Sequence, residues 1–236
     1  MSYQQFAYYY DSLMDPQFYN DYEDFILKHT DADFFLELGC GTGEIAIRLL
    51  KKEKSILATD LSEDMLYIAS EKASSEGLCL DVQQADMIDF QVTHPVDCVL
   101  CLCDSLNYII DKNDIIKVFS NVYQALKPKG IFIFDINSMY KCNIILDNYH
   151  EESHDEDYDF YWDVTSNNRG DIYHHIIIND LENNEQIDEI HHQKTYELDI
   201  YKSLLDNTGF TYEIFSDFDK YNEESERLIF VCRKGE

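Results

Sequence analysis

The chain has 236 residues, 45% of them hydrophobic, which is enough for one sizeable domain with a real core. Its 47 acidic and 18 basic side chains give a net charge of -29. Such a surface repels phosphate backbones, so a nucleic-acid partner is disfavoured and a neutral or cationic small molecule fits better. Three prolines and eight glycines exclude collagen-like and low-complexity classes.

The N-terminal stretch MSYQQFAYYYDSLM lacks the basic and apolar regions of a secretory signal. No apolar run approaches the ~20 residues of a membrane span. A cytoplasmic protein, monomeric or homodimeric, is expected. Seven cysteines show no framework spacing. Cys40, Cys79, Cys98, Cys101 and Cys103 sit in or beside predicted strands, as buried thiols of a reducing compartment do. Cys98 and Cys101 form a CxxC inside the apolar run VDCVLCLC, whereas a redox CxxC opens a helix and a zinc site needs a second pair.

Phe18, Tyr22, Phe25 and Ile26 recur at helical spacing and predict a helix over 17–29, after Asp15-Pro16. Residues 34–38 form a short apolar strand, and 42–52 a helix with Ile45, Ile47, Leu49 and Leu50 apolar. A second strand covers 55–59. Ser62 caps a helix over 62–76, with Gly77 just past its end. Third and fourth strands cover 78–84 and 96–103. A helix over 111–126 is closed by Lys127-Pro128-Lys129-Gly130, and 131–136 is a fifth strand. Nearly all-apolar strands separated by amphipathic helices imply an α/β fold with a parallel sheet covered on both faces. Right-handed crossovers make it doubly wound and Rossmann-like.

The pattern changes after residue 140. The acidic stretch 149–159 reads as a flexible lid or linker. Strand-like runs at 160–166, 171–181 and 186–198 follow, joined by Asn167-Asn168-Arg169-Gly170 and Glu182-Asn183-Asn184-Glu185. They predict an antiparallel β insertion. A helix over 199–207, ended near Gly209, and strands at 211–218 and 227–233 return to the core. The organisation expected is a core over 1–145, an insertion over 146–198 and a return over 199–236. The main sheet is expected to be mostly parallel with seven strands, the insertion following strand five.

The sharpest motif is Glu37-Leu38-Gly39-Cys40-Gly41-Thr42-Gly43, which leaves the first strand and opens the first helix of the alternating pattern. Glycines serve where a ligand must approach the backbone closely. The spacing G-x-G-x-G is not the G-x-G-x-x-G of dinucleotide enzymes, and no Lys-Ser/Thr pair makes a P-loop. Asp60 follows 17 residues after Gly43, at the end of the second strand, where a carboxylate accepts ribose hydroxyls. Asp86 follows the third strand and can accept from an adenine amino group. Met87 packs on one ring face, and Met65 can close the other.

These residues resemble the class I S-adenosylmethionine-dependent methyltransferases. The resemblance extends through Cys103-Asp104-Ser105-Leu106-Asn107-Tyr108 and Leu126-Lys127-Pro128-Lys129-Gly130 over nearly the whole chain. Phe6-Ala7, Tyr10-Asp11-Ser12-Leu13-Met14, Phe134-Asp135-Ile136-Asn137-Ser138, His191-x-Gln193-x-x-Tyr196 and Phe230-Val231-Cys232 narrow it. They are similar to a bacterial subgroup of small-molecule methyltransferases akin to amino-sugar N-methyltransferases and, more distantly, glycine N-methyltransferase. The resemblance implies S-adenosyl-L-methionine as cofactor. Glu37 would hold its methionine end, Gly39 and Gly41 would let the backbone pass close, and Asp60 would bind the ribose. Asp86 and Met87 would take the adenine, and Asp104 would lie near the methionine amino group or the methyl. Tyr10 would cover the cofactor. Cys40, Gly43, Leu61, Met65 and Cys103 complete the expected binding set.

Methyl transfer is an in-line displacement with a neutral thioether leaving, so orientation and water exclusion supply most of the acceleration. An amine acceptor must be neutral to attack, and a base helps. The acceptor is expected at the carboxyl ends of strands four and five, beneath the insertion. Asp104, Asn107, Tyr108, Asp135 and Asn137 are the candidates there. In a strand His191 and Gln193 share a face that His192 does not, which makes His191 the first choice from the insertion. His191, Asp104, Tyr108 and Asp135 are therefore the candidate catalytic residues. Asp104, Asp135 and Asn137 could mimic a set of oxygen ligands for a metal, but the resembled family uses none. Three alternatives remain: a cofactor-binding protein without catalysis, an RNA methyltransferase, which the acidity opposes, and a nicotinamide oxidoreductase, which the glycine spacing opposes.

Overall fold

The computed structural model describes residues 3–236, with side chains from Ala7 onward, so the Phe6 side chain lies outside the described residues. The chain begins with α1 (Tyr3–Tyr10), a helix that the aromatic run YQQFAYYY, with no acidic residue in its first turn, does not announce. Asp15 then caps α2 (Pro16–His29), accepting from the Gln17 N–H at 2.8 Å, with Pro16 in the first turn. The alternating half comprises β1 (Phe34–Leu38), α3 (Glu44–Lys51), β2 (Ser55–Asp60), α4 (Glu63–Ser75), β3 (Asp81–Gln84), β4 (Val96–Cys101), α5 (Lys112–Ala125) and β5 (Leu126–Asn137). Ser62 caps α4 through the Met65 N–H, as its sequence position predicts.

The insertion contains β6 (Tyr149–His154), β7 (Tyr158–Ser166), β8 (Asp171–Asp180) and β9 (Glu185–Lys194), and α6 (Leu198–Thr208), β10 (Thr211–Ser216), β11 (Asp219–Lys220) and β12 (Arg227–Arg233) close the chain. The central sheet runs β11-β10-β12-β5-β4-β1-β2-β3, with β5, β4, β1, β2 and β3 parallel and β12 and β10 antiparallel. Strand order reverses between β1 and β4, and open α/β sheets bind ligands outside the carboxyl ends of strands at such a point.

Alternation along the strands fills both faces. Phe35, Cys98, Leu100, Ile133 and Val231 point to the layer of α2, α3 and α4. Leu36, Val99, Cys101, Phe132 and Phe230 point to α5 and α6. Phe134 stacks on Phe230 at 4.6 Å between centroids, and truncating so buried a ring costs ~3–5 kcal/mol. Cys98 and Cys101 lie on opposite faces, so the CxxC is core packing. Cys79, in contrast to the expectation of a buried thiol, is exposed.

The central sheet has eight strands, not seven, because two residues of β11 pair with the end of β10. The stretch 149–159 is not a linker. Its first part is β6, paired with β7, so the insertion has four strands rather than three. At an edge both strand faces can be polar, and His150 and His154 sit across from and bonded to Asp163 and Asp159 at 2.8 and 2.6 Å. That removes the hydrophobic alternation by which a strand is read. Edge position also explains why β3 is shorter than the expected 78–84, all four of its residues being exposed. Among the described residues no helix is long and apolar enough to cross a membrane.

Candidate active site

The glycine loop leaves β1 at the strand-order reversal. Gly39 has φ +69°, and a Cβ there would lie 2.8 Å from Ser105 Cβ, so only glycine lets the turn after β4 pack against the loop. The Ser105 hydroxyl donates to the Gly39 carbonyl at 3.1 Å. Gly41 differs: at φ +53°, its absent Cβ would meet nothing within 4 Å, so this stretch of backbone is open to a ligand. Cys40 is held by its N–H to the Thr59 carbonyl, and Gly43 precedes α3 against Ala69.

Asp60 ends β2, accepting from the Gly41 N–H and the Ser62 N–H, both at 2.9 Å. Burial outweighs those bonds and raises its pKa. Glu37, inside β1, is 3% exposed and its Oε2 has no partner among the described residues. Burial, then repulsion from Asp60, pushes its carboxyl up to about 8. A buried, unpartnered carboxyl group two residues before the glycine loop would gain from a cationic partner such as the ammonium of an amino-acid ligand. Leu61 is exposed beside Asp60. Asp86 is exposed and accepts from the Ile88 N–H, while Met87 reaches to 3.5 Å from the Gly39 Cβ position. Met65 packs with Ala7, Phe160, Ile178 and Ile187, so it fastens α1 and the insertion to α4.

Opposite the loop, Cys103 and Asp104 have φ +55° and +52°. A non-glycine residue in this region costs roughly 1–2 kcal/mol, so surrounding bonds must impose the turn. The Asp104 N–H donates to Asp135 Oδ2 at 3.0 Å, and Arg227, at the start of β12, donates to Asp135 Oδ2 and, at 2.9 Å, to Asp104 Oδ1. Burial disfavours the Asp104 carboxylate, but Arg227, Lys141 and a bond from Gln193 outweigh it, holding its pKa below the usual range. The Arg227 guanidinium lies between Asp104 and Asp135, where the metal reading would need a cation.

The insertion meets this corner through β9. His191 and Gln193 are buried and face the corner, while His192 turns outward to stack on Tyr173 at 4.3 Å. Gln193 Nε2 donates to Asp104 Oδ2 at 2.7 Å, and its Oε1 accepts from Asn137 at 3.0 Å and lies 3.2 Å from His174 Nε2. Asn107 ties β5 to β9 by donating to the Lys194 carbonyl and accepting from the Asn137 N–H. His191 Nδ1 is 3.3 Å from the Tyr108 hydroxyl, and its Nε2 is 3.0 Å from Glu189 Oε2.

The N-terminal segment closes the other side. Thr42 of the loop and Lys72 of α4 both donate to the Asp11 carboxylate at 2.5 Å. The Tyr9 hydroxyl donates to Asp180 of β8 at 2.8 Å. Burial raises the Tyr10 pKa, with Cys103, Asp104 and Tyr108 among the groups adding to it, so this ring lies by the fourth-strand turn. The sequence does not single out Arg227, Glu189 or Tyr9, and it names Asp11 only within the motif that narrows the resemblance. An arginine opening the otherwise apolar run Leu228–Cys232 was the one available signal, because an acidic chain with few cations rarely places one in its core.

A glycine loop leaving β1 at the strand-order reversal and a carboxylate ending β2 are features of the class I S-adenosylmethionine-dependent methyltransferases. Residues 35–130 match the methyltransferase domain family. A methyltransferase-family protein of Geobacillus sp. (strain WCH70) is 36% identical, over 99% of this chain and 100% of its own. An S-adenosylmethionine-dependent methyltransferase structure from Clostridium acetobutylicum ATCC 824 is 30% identical, covers 99% of each chain and has a TM-score of 0.86. The sugar N-methyltransferase KedS8 from Streptoalloteichus sp ATCC 53650 shares the fold at 21% identity, covering 100% of this chain and 94% of its own, with a TM-score of 0.77. The chain belongs to the methyltransferase family, and its cofactor is S-adenosylmethionine.

Proposed function

We propose that the protein methylates a small-molecule acceptor at an amine or hydroxyl group. The observation that carries this reading is the roof. The polar inner face of β9 and β8, with His191, Gln193 and His174, closes over the end of β4 at Asp104. A corner so covered admits a compact acceptor, and the net charge of -29 disfavours RNA. An amine is in keeping with KedS8, a sugar N-methyltransferase that shares the fold.

The cofactor supplies a methyl group activated on a sulfonium centre. Glu37 binds its methionine end, Asp60 its ribose, and Asp86 and Met87 its adenine. Gly39, Cys40, Gly41 and Gly43 supply backbone, while Tyr10, Leu61 and Cys103 flank the site. Asp104 orients the reacting end, with its carboxylate kept ionised by Arg227. Asp135 supports Asp104 rather than touching the acceptor. Tyr108 and His191 contact the acceptor, and a neutral His191 imidazole receives its proton. Burial keeps His174 below the ordinary histidine range, so it serves as a neutral hydrogen-bond partner of Gln193. Incubating the protein and S-adenosylmethionine with amines, amino sugars, hydroxy compounds and small acids tests the reading. Mass spectrometry should find a one-methyl gain on an amine or hydroxy compound, and transfer to RNA alone would overturn it.

A further inference from the structure

Arg227 stands on the last strand, far in sequence from the cofactor motifs, yet it is 8% exposed and reaches the turn after β4. Its two nitrogens divide between Asp104 and Asp135. Asp135 Oδ2 also takes the Asp104 N–H, so one carboxylate oxygen binds both the strained backbone and the guanidinium. Phe18 of α2 closes the remaining side, its ring centroid 5.0 Å from the guanidinium carbon. The residues clamped in this way, Cys103 and Asp104, are consecutive non-glycine residues at positive φ. The next residue, Ser105, packs on Gly39 and bonds to its carbonyl. The clamp therefore sets the distance between the fourth-strand turn and the glycine loop.

We propose that Arg227 is a positioning residue for S-adenosylmethionine: with Asp135 it holds Cys103–Asp104 in the left-handed backbone that forms the cleft wall facing the glycine loop. The proposal rests on the cofactor assignment and adds a residue outside its motifs. Without the guanidinium fork, Cys103 and Asp104 relax toward negative φ, and the wall no longer matches the ligand. Lysine keeps the charge but has one point donor where arginine has a fork for two carboxylates. Glycine at 103 adopts positive φ without strain, so part of the clamp's task disappears there.

The experiment is a double-mutant cycle read by calorimetric titration with S-adenosylmethionine. Wild type, Arg227→Lys, Cys103→Gly and the double variant are compared, each first shown by urea melting to be folded. Arg227→Lys is expected to weaken binding about tenfold in the wild-type background and less than about threefold in the Cys103→Gly background. An equal loss in both backgrounds overturns the proposal, because arginine would then act by charge or stability alone. No loss in either background overturns it as well. If the lysine variant does not fold, Asp135→Asn takes its place in the same cycle. Failure of the wild type itself to bind S-adenosylmethionine is a separate result, which sinks the cofactor assignment.

Discussion

The Tyr108 hydroxyl lies 3.3 Å from Nδ1 of His191, joining the turn after β4 to the insertion. Glu189 Oε2 lies 3.0 Å from the other ring nitrogen, so polar groups flank the imidazole on both sides. His191→Ala should lower turnover at least about a hundredfold, the low side of what a positioned proton acceptor contributes. Affinity for S-adenosylmethionine should change less than about twofold if this pair serves the acceptor, as proposed. Glu189→Gln should lower turnover in the same direction by a smaller factor. Kinetics with the acceptor found by screening, paired with cofactor calorimetry, checks both. Equal losses in turnover and cofactor affinity would place His191 in the cofactor cleft instead.

Asp60 holds two backbone N–H groups of its own and is assigned the ribose hydroxyls. Asp60→Ala removes a charge-assisted hydrogen bond of ~1.5–3 kcal/mol, or ~10- to 150-fold in affinity. The loss of the Gly41 contact should also loosen the loop, so Asp60→Asn, which still accepts hydrogen bonds, should lie between alanine and wild type. Calorimetry with S-adenosylmethionine and S-adenosylhomocysteine measures the series. NAD should bind more weakly than either, and unchanged affinity in Asp60→Ala would remove the ribose role.

The glycine loop and the acids ending β2 and following β3 were legible because their motifs are local: Gly39, Gly41, Asp60 and Asp86 sit at strand ends that periodicity locates. The alternation of His191 and Gln193 against His192 also read correctly, because a strand fixes side-chain direction residue by residue. The Arg227 clamp did not read, since it joins residues 92 and 123 positions apart, and no period relates β12 to β4. β6 did not read because its partners neutralise its charges across the pair rather than along the strand. α1 did not read because its packing on Met65 and the insertion, rather than a strong end signal, holds it.

Transfer RNA should not bind at physiological salt. Non-specific affinity comes from cations that neutralise phosphates; acidic side chains outnumber basic ones 47 to 18, and several of the latter are engaged, Lys72 with Asp11 and Glu44, Lys127 with Asp97, and Arg227 with Asp104 and Asp135. A gel shift at micromolar protein checks this. A retarded band that weakens steeply with salt would reopen an RNA acceptor.

Glu37 makes the folded chain sensitive to pH in a defined direction. Its carboxyl titrates near 8 in the folded chain against an ordinary value of 4.5, because burial and then Asp60 oppose its charge. Between those values the folded protein holds a proton that the unfolded chain has released. The unfolded state binds fewer protons, so this group's contribution to stability falls as pH rises through the window. Glu37→Gln should flatten that fall, and urea melts at about pH 5, 6.5 and 8 compare the two slopes. In the proposed binding mode the ammonium end of S-adenosylmethionine lies against Glu37 and would lower the carboxyl pKa again. Binding near pH 7 should therefore release protons from the wild type. Calorimetry in two buffers of different ionisation enthalpy measures that release, and the Glu37→Gln variant supplies the baseline from the ligand's own amino group. A release identical in both proteins would show that Glu37 does not meet the methionine end.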